Sequence, residues 1–293
     1  MQHYPESEYE IVTIDDGSSD ASAEIARKYG ARVISLKKNV WSSEARRFGV
    51  NQCRGKIIVF LDAHLYLTNP ESFQIIDKIL LQNPALGGIC GFYKTIDNSD
   101  WNQLRDIRRE VIFHKQKERP IGLKDFTTLS IALSAIRREV FNQVSFPVGF
   151  RESFGEDTYF QLKAHDKGWN FIFSPEITGI HDSPQTSKGI IKKMVYELRG
   201  TANILYYASS ENIKVPFLHF FLSYPMLLLV SLLVMPIHLQ IGLFLLIVTL
   251  SFEILHASQC LSANSYPLKI RFNALLYSFI KEIKYSFITK LFF

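Results

Sequence analysis

A carboxylate and an imidazole follow directly after a short apolar segment of the chain. Ile57 to Leu61 are five apolar residues in a row, too few for a helix, and they predict a strand buried on both faces of a sheet. Asp62 comes next and His64 two residues later. Because ligands bind at the carboxyl ends of strands in open α/β sheets, we expect both side chains to reach into a pocket, on the same side of an extended chain. One oxygen and one nitrogen ligand suit Mn²⁺ or Mg²⁺ holding a diphosphate; the alternative is a strand that simply ends in a polar turn.

A second candidate group is a pair of neighbouring acids after a glycine. Gly155, Glu156 and Asp157 precede an apolar-periodic segment that ends at His165, and this pattern predicts a loop leading into a helix. The helix dipole stabilises carboxylates at a helix N-terminus by about 0.3–1 kcal/mol, which is a sufficient structural reason for the pair. The functional alternative is that one carboxylate faces a substrate hydroxyl and takes its proton.

Strand and helix patterns alternate along the first sixty residues. Intervals this short allow only right-handed crossovers between parallel strands, so the sequence predicts an α/β fold with a parallel sheet covered by helices. The predicted strands lie at 9–14, 32–36, 56–61, 86–93, 127–135 and 169–174. The predicted helices lie at 21–29, 42–52, 69–82, 101–117 and 137–143.

Three blocks in the first half of the chain resemble family 2 glycosyltransferases with the GT-A (Rossmann-like) fold, which implies a mixed sheet flanked by helices. Residues 11–20, IVTIDDGSSD, resemble the nucleotide-binding signature, whose acidic pair reads the nucleobase and ribose of a sugar nucleotide; here the pair is Asp15 and Asp16. Asp, Gly and Ser also favour ordinary turns. Phe-Leu-Asp-Ala-His at 60–64 falls where the family places its Asp-x-Asp metal motif, in the Asp-x-His form.

The remaining block departs from the family pattern at two positions. Residues 39–49 resemble an Asn-x-Gly…Ala-Arg-Asn-x-Gly pattern, in which Arg46 supplies the arginine. Trp41 stands where glycine is usual, and Arg47 where asparagine is usual. Taken alone, Arg46 is also explained as a solvated helix residue. Three blocks in the family's order, each at a strand end or on the helix that follows, argue against coincidence.

The resemblance implies a role for each candidate residue. Asp15, Asp16 and Arg46 would hold the nucleotide of a nucleotide-sugar donor. In the family the acidic pair at Glu156 and Asp157 supplies the base of an inverting transfer, so Asp157 is predicted as the base and Glu156 as a residue that positions the acceptor. A late histidine, here His181, would join Asp62 and His64 in a three-ligand site for Mn²⁺ or Mg²⁺, although a lone histidine in a loop is more often structural.

The C-terminal third of the chain is apolar enough to predict membrane anchoring. Residues 215–235 are 21 residues without a charge, and after Pro236 residues 237–257 contain only Glu253. A helix needs about 20 residues to cross the hydrocarbon core, so the pair predicts a transmembrane helical hairpin, with a buried core helix as the alternative for either run. Basic residues on both flanks place both ends in the cytoplasm. We expect an interfacial amphipathic helix at 186–214 and a basic membrane-surface tail at 258–293.

Composition narrows the remaining possibilities. A net charge of +5 is modest and no basic face with interleaved aromatic residues stands out, so no nucleic-acid partner is predicted. Three scattered cysteines indicate reduced thiols rather than a disulfide framework or a zinc site. No Gly-x-Gly-x-x-Gly follows the first strand, which disfavours a dehydrogenase.

The sequence therefore predicts a GT-A domain at 1–185, apparently without the family's first strand and helix, on the cytoplasmic face of the cell membrane. Its donor would be a nucleotide sugar and its acceptor a lipid-linked sugar or a glycan. The rival hypotheses are an inactive GT-A-like scaffold, given the altered metal motif, and a membrane nucleotidyltransferase.

Overall fold

The computed structural model describes residues 2–96, 119–121, 129–150 and 155–182, together with isolated positions between 204 and 247. The chain divides into two compact units. The first comprises residues 1–93, 117–181 and 195–215, and it contains every predicted site residue. The second comprises 94–116, 182–194 and 216–293. In the second unit, residues 239–244 are helical, and Gly242 N donates to the His238 carbonyl at 3.0 Å.

Two short parallel strands open the first unit. Strand β1 (Val12–Asp15) pairs with β2 (Arg32–Ser35), and helix α1 (Ser22–Lys28) connects them. Gly30, with φ +85°, follows the end of α1, as expected for a residue that must adopt a left-handed conformation. The predicted βαβ crossover is confirmed for this pair of strands.

The larger sheet has six strands. Its order is β3-β7-β5-β8-β4, and β6 pairs with β8. The strands are β3 (Ile57–Leu61), β4 (Leu65–Leu67), β5 (Leu86–Thr95), β6 (Arg119–Ile121), β7 (Leu133–Arg137) and β8 (Asn170–His181). Strand β7 is antiparallel to both β3 and β5, and β8 is antiparallel to both β4 and β6.

The parallel sheet expected from the first three strands is therefore wrong beyond β1 and β2. Strand β7 lies between β3 and β5 although it follows both in the chain, and a local strand–helix rhythm carries no signal for such a long-range pairing. The result is the mixed α/β sheet that the GT-A resemblance implies: β1 and β2 are parallel, β7 is antiparallel to β3 and β5, and β8 is antiparallel to β4 and β6.

Four further helices accompany the sheets in the described residues. They are α2 (Trp41–Gln52), α3 (Ser72–Gln82), α4 (Arg138–Phe141) and α5 (Glu156–Asp166). Helix α3 packs on the larger sheet, where Ile76, Ile79 and Leu80 join Ile89 and Leu133 in a buried cluster. The helix predicted at 101–117 lies outside the described residues.

The last strand is longer than predicted. The sequence predicted a strand at 169–174, but β8 runs on through Pro175 to His181. Pro175 lies between two pairings: Phe171–Phe173 face β6, and Gly179–His181 face β4. Neither of these two strands therefore needs an N–H from residue 175.

Residues from the segment 204–213 contribute to the first unit. Ala208 is fully buried, and its cluster includes Phe150 and Tyr159, with Tyr207 packed beside them. Lys163 of α5 pairs with Glu211 at 2.6 Å. These contacts lie inside the segment for which the sequence predicted an interfacial helix, and they attach part of it to α5.

Among the described residues, no helix is both long and apolar enough to cross a bilayer. The predicted transmembrane segments, 215–235 and 237–257, lie outside the described residues apart from a few positions, and the tail at 258–293 lies wholly outside them. The hairpin therefore stays a prediction.

Candidate active site

A tight turn at the end of β3 presents Asp62 and His64. Leu65 N donates to the Asp62 carbonyl at 2.8 Å, which closes the turn between β3 and β4, and Asp62 N donates to the Ala132 carbonyl at 3.1 Å. The expectation that the two side chains share one side of the chain holds only for an extended chain. A turn begins at Asp62 instead, and it still brings both side chains to one place. Both residues nevertheless lie at the carboxyl end of β3, as predicted.

His181 reaches the same place from the far end of the chain. It is the last residue of β8 and pairs in register with Leu65, the residue after His64. The imidazole rings of His64 and His181 meet edge to face with centroids 4.3 Å apart. Tyr93 of β5 stacks on the His181 ring at a centroid distance of 5.4 Å. His181 is 8% exposed. The expectation that it lies in a loop is wrong, because a strand holds it.

Asp62, His64 and His181 form a candidate metal site. Each offers one ligand atom, and these atoms all lie within 4.8 Å of one another. Ligands about 2.1 Å from a common ion are separated by at most about 4.2 Å, so a small rotation of exposed His64 closes the set. One carboxylate and two imidazoles are ligands that Mn²⁺ accepts readily, and the residues present fit such an ion.

Arg46 links this site to the acidic pair. Its guanidinium donates to Glu156 Oε1 at 2.6 Å and to Asp62 Oδ1 at 3.3 Å. Ser42, one turn earlier on α2, also donates to Glu156 Oε1, at 3.3 Å. Glu156 is 3% exposed. Among the described residues, its second oxygen, Oε2, is buried without a hydrogen-bond partner.

Asp157 is the second residue of helix α5, which begins at Glu156 after Gly155 in a left-handed conformation with φ +89°. Its Oδ1 accepts a hydrogen bond from the Thr158 amide at 2.7 Å. Burial, reinforced by the negative charge of Glu156, raises the pKa of Asp157 to about 7. A carboxyl group with such a pKa exchanges protons near neutral pH, which is where a general base works best.

The two acids after β1 have different surroundings. Asp15 Oδ1 accepts from the Ser18 amide at 2.9 Å, and hydrogen bonding by the Ser18 side chain, followed by this amide bond, lowers the pKa of Asp15. Asp16 Oδ1 accepts from the Val40 amide at 2.7 Å, just before α2. Gly17, with φ +86°, follows both acids in the turn and lies against the Asn39 backbone.

Helix α2 therefore joins the candidate residues. Its start contacts Asp16, and its second turn carries Arg46 to Glu156 and Asp62. Six of the eight predicted residues form one contiguous set: Asp62, His64, His181, Arg46, Glu156 and Asp157. Asp16 joins through α2, whereas Asp15 bonds its own loop.

Two residues of this region, Ser42 and Tyr93, were not predicted from the sequence. Ser42 lies four residues before Arg46, so both occupy one helix face, and this spacing could have indicated a shared partner. Tyr93, which stacks on His181, carries no local signal, since β5 and β8 are brought together only by the sheet order.

Residues 1–145 match the family model described as Glycosyl transferase family 2. This part of the chain belongs to glycosyltransferase family 2. The family 2 domain carries five of the candidate residues, whereas Glu156, Asp157 and His181 follow it in the chain.

The chain matches its curated relatives over only part of their length. The chain is 29% identical over 115 residues to dolichyl-phosphate beta-glucosyltransferase of Dictyostelium discoideum, covering 36% of this chain and 35% of that protein. It is 23% identical over 207 residues to poly-beta-1,6-N-acetyl-D-glucosamine synthase of Staphylococcus epidermidis, covering 69% and 49%. The chain thus spans less than half of the length of either relative.

A solved structure supports the fold. The mannosyltransferase PcManGT from Pyrobaculum calidifontis, in complex with GDP-Man and Mn²⁺, superposes with a TM-score of 0.56 at 15% identity. The superposition covers 96% of this chain and 80% of that one. At this identity the likeness establishes the fold alone, a GT-A-like mixed sheet flanked by helices.

Proposed function

We propose that the chain is a metal-dependent, inverting glycosyltransferase. It would move a sugar from a nucleotide-sugar donor to a lipid-linked or glycan acceptor at the cytoplasmic face of a membrane. The observation that carries the proposal is the convergence of Asp62, His64 and His181, which lie far apart in the sequence and offer three ligand atoms within 4.8 Å.

The donor would lie between the β1 loop and this metal site. Asp62, His64 and His181 would hold Mn²⁺ or Mg²⁺, which when bound offsets the negative charge that builds on the departing diphosphate. Asp16 and Asp15 at the end of β1 would bind the nucleoside. Arg46, on the helix that spans both places, would bind the diphosphate, since a guanidinium matches phosphate oxygens.

The acidic pair at the start of α5 would act on the acceptor. Asp157, with its raised pKa, takes the proton from the acceptor hydroxyl as that oxygen attacks the sugar carbon opposite the departing diphosphate. Glu156 Oε1 is fixed by Arg46 and Ser42. Among the described residues, its other oxygen, Oε2, has no hydrogen-bond donor and can orient a second hydroxyl group of the acceptor.

The acceptor class and the membrane location are proposed from the names of relatives and from the apolar C-terminal sequence. The names of two relatives refer to a dolichyl phosphate and to a polysaccharide. The stretch at 215–257, whose one charged residue is Glu253, would anchor the enzyme beside a lipid-linked acceptor. Extraction of the full chain from membranes by detergent but not by high salt or carbonate would support the anchor, whereas release by salt would contradict it.

The experiment that tests the activity is donor cleavage by the full chain in detergent. A panel of UDP- and GDP-sugars is incubated with Mn²⁺, and free nucleoside diphosphate is measured with water as the acceptor. We expect release from one donor, loss of release in Asp62→Ala and Asp157→Asn, and no loss in the control Asp166→Asn. Asp166 is an exposed acid at the other end of α5.

Two outcomes would contradict the proposal. Release of pyrophosphate in place of nucleoside diphosphate would favour a nucleotidyltransferase. Failure to cleave any donor, together with failure to bind nucleoside diphosphate, would favour an inactive scaffold.

A further inference from the structure

Arg46 occupies an unusual place for a residue that binds phosphate. Its guanidinium is 18% exposed and is already paired with two carboxylates, Glu156 at 2.6 Å and Asp62 at 3.3 Å. Asp62 is also one of the three candidate metal ligands, and the other two, His64 and His181, bring no negative charge when they bind a metal. Arg46 therefore lies against the candidate site's one anionic ligand.

This pairing opposes the binding of a cation on its own. A divalent ion bound to Asp62 would lie within a few ångströms of the Arg46 guanidinium, and like charges at such distances repel strongly where water is partly excluded. The ion would also have to share a carboxylate whose charge Arg46 already neutralises. Glu156, 4% exposed at its side chain, holds the guanidinium in place through the shorter of the two ion pairs.

A diphosphate removes the conflict. It brings several negative charges and pairs of terminal oxygens, which can accept the two parallel N–H groups of a guanidinium and can bind a divalent ion. With a diphosphate between them, Arg46 can leave Asp62 for a phosphate oxygen, and Asp62 becomes free to bind the ion.

We infer that Arg46 makes cation binding depend on the diphosphate: the ion binds weakly alone and tightly once a nucleoside diphosphate is present. Arg46 acts as a competing charge in the free enzyme and as a phosphate ligand in the complex. This inference rests on the proposed function, because it takes the metal site and the nucleotide site from it. By linkage, the ion strengthens diphosphate binding by the same factor as the diphosphate strengthens ion binding.

The test is a titration of the full chain in detergent with Mn²⁺, in which electron paramagnetic resonance measures the free ion. It is carried out once without nucleotide and once with saturating UDP or GDP. In Arg46→Met we expect Mn²⁺ alone to bind roughly tenfold more tightly than in the wild type, since one nearby positive charge is gone. We expect the factor by which the nucleotide strengthens Mn²⁺ binding to fall roughly tenfold as well. Arg47→Met is the matched control, because Arg47 is the next residue of α2, is exposed and pairs with Glu44.

A second variant guards against misfolding. Arg46→Met leaves buried Glu156 without its cation, so the double variant Arg46→Met/Glu156→Gln is titrated in parallel. It should show a gain for Mn²⁺ alone that is smaller than in Arg46→Met, because the negative charge of Glu156 is lost as well. Unchanged or weaker Mn²⁺ binding in both variants, with Asp62→Ala abolishing it, would overturn this inference and leave the metal site intact. Mn²⁺ binding that survives Asp62→Ala would instead contradict the proposed function itself.

Discussion

His64 and His181 meet edge to face, with ring centroids 4.3 Å apart. The contact follows from one strand pairing, in which Leu65 of β4 lies opposite His181 of β8. A turn that begins at Asp62 then places all three ligand atoms within 4.8 Å. The metal site thus depends on the register of β4 against β8 as much as on the ligands themselves.

Replacing His64 by aspartate should preserve the site and change its metal preference. His64→Asp restores the Asp-x-Asp form, and a carboxylate oxygen suits Mg²⁺ better than an imidazole nitrogen does. We expect activity to persist and the ratio of Mg²⁺-supported to Mn²⁺-supported activity to rise several-fold. His64→Ala is the control and should lose activity with both ions. An unchanged ratio in His64→Asp would argue that His64 does not bind the ion.

Asp157→Asn should remove the base. We expect kcat to fall by about 10²- to 10⁴-fold with little change in KM for the donor, because proton transfer is lost while binding is kept. In the wild type, kcat/KM should decline as pH falls below about 7, where Asp157 becomes protonated. A variant whose residual activity keeps the same acidic decline would show that another group is responsible for it.

Asp157→Asn, which lowers activity, should raise the stability of the folded protein at alkaline pH. The pKa of Asp157 is raised in the folded state, so the native protein binds its proton more tightly than the unfolded chain does. Stability is therefore lost as pH rises from about 4 towards 7, and the full penalty of the buried charge is present at pH 8. We expect Asp157→Asn to be more stable than the wild type in urea at pH 8, with the difference shrinking towards pH 5. A variant less stable at pH 8 would contradict this account.

Trp41 adopts a backbone conformation that disfavours a bulky residue. Its φ is +71°, and the side chain is 47% exposed at the start of α2. The left-handed conformation costs a residue with a Cβ atom about 1–2 kcal/mol, and glycine avoids this cost. We therefore expect Trp41→Gly to be more stable than Trp41→Ala by about 1 kcal/mol, after the greater chain entropy of glycine is subtracted. Equal stabilities of the two variants in urea unfolding would argue against strain at this position.

Gly91 allows β5 to lie close to β8, the strand that carries His181. A Cβ atom at Gly91 would lie 2.6 Å from the Ile177 carbonyl oxygen, so the backbone must shift to accommodate it. We expect Gly91→Ala to destabilise the fold by about 3 kcal/mol or more and to weaken Mn²⁺ binding. Gly30→Ala is the control: it has open space around its Cβ position and a φ of +85°, so it should cost only about 1–2 kcal/mol. Equal costs would show that β8 can move freely.

Local patterns predicted the parts of this fold that depend on neighbouring residues. The apolar run at 57–61 and the helix start at Gly155 and Glu156 are confirmed as β3 and α5. A glycine inside a strand is typical of a point where another backbone comes close, and Gly91 of β5 faces β8 in this way.

Pairings between distant segments were beyond local patterns. The position of β7 between β3 and β5, and the extension of β8 to His181, depend on partners that lie far away in the chain. The resemblance to the family suggested the role of His181 without its setting in a strand. Arg46 was expected at the nucleotide, and its ion pairs with Glu156 and Asp62 became visible only in the structure.

The location of a bound metal ion tests the central claim most directly. Crystals of the protein grown with Mn²⁺ and UDP or GDP would be measured at the manganese absorption edge to locate the ion by its anomalous scattering. The account predicts one strong peak about 2.1–2.3 Å from an Asp62 oxygen and from one nitrogen each of His64 and His181, in contact with the diphosphate. A peak held by other residues, or none beside a bound nucleotide, would contradict it.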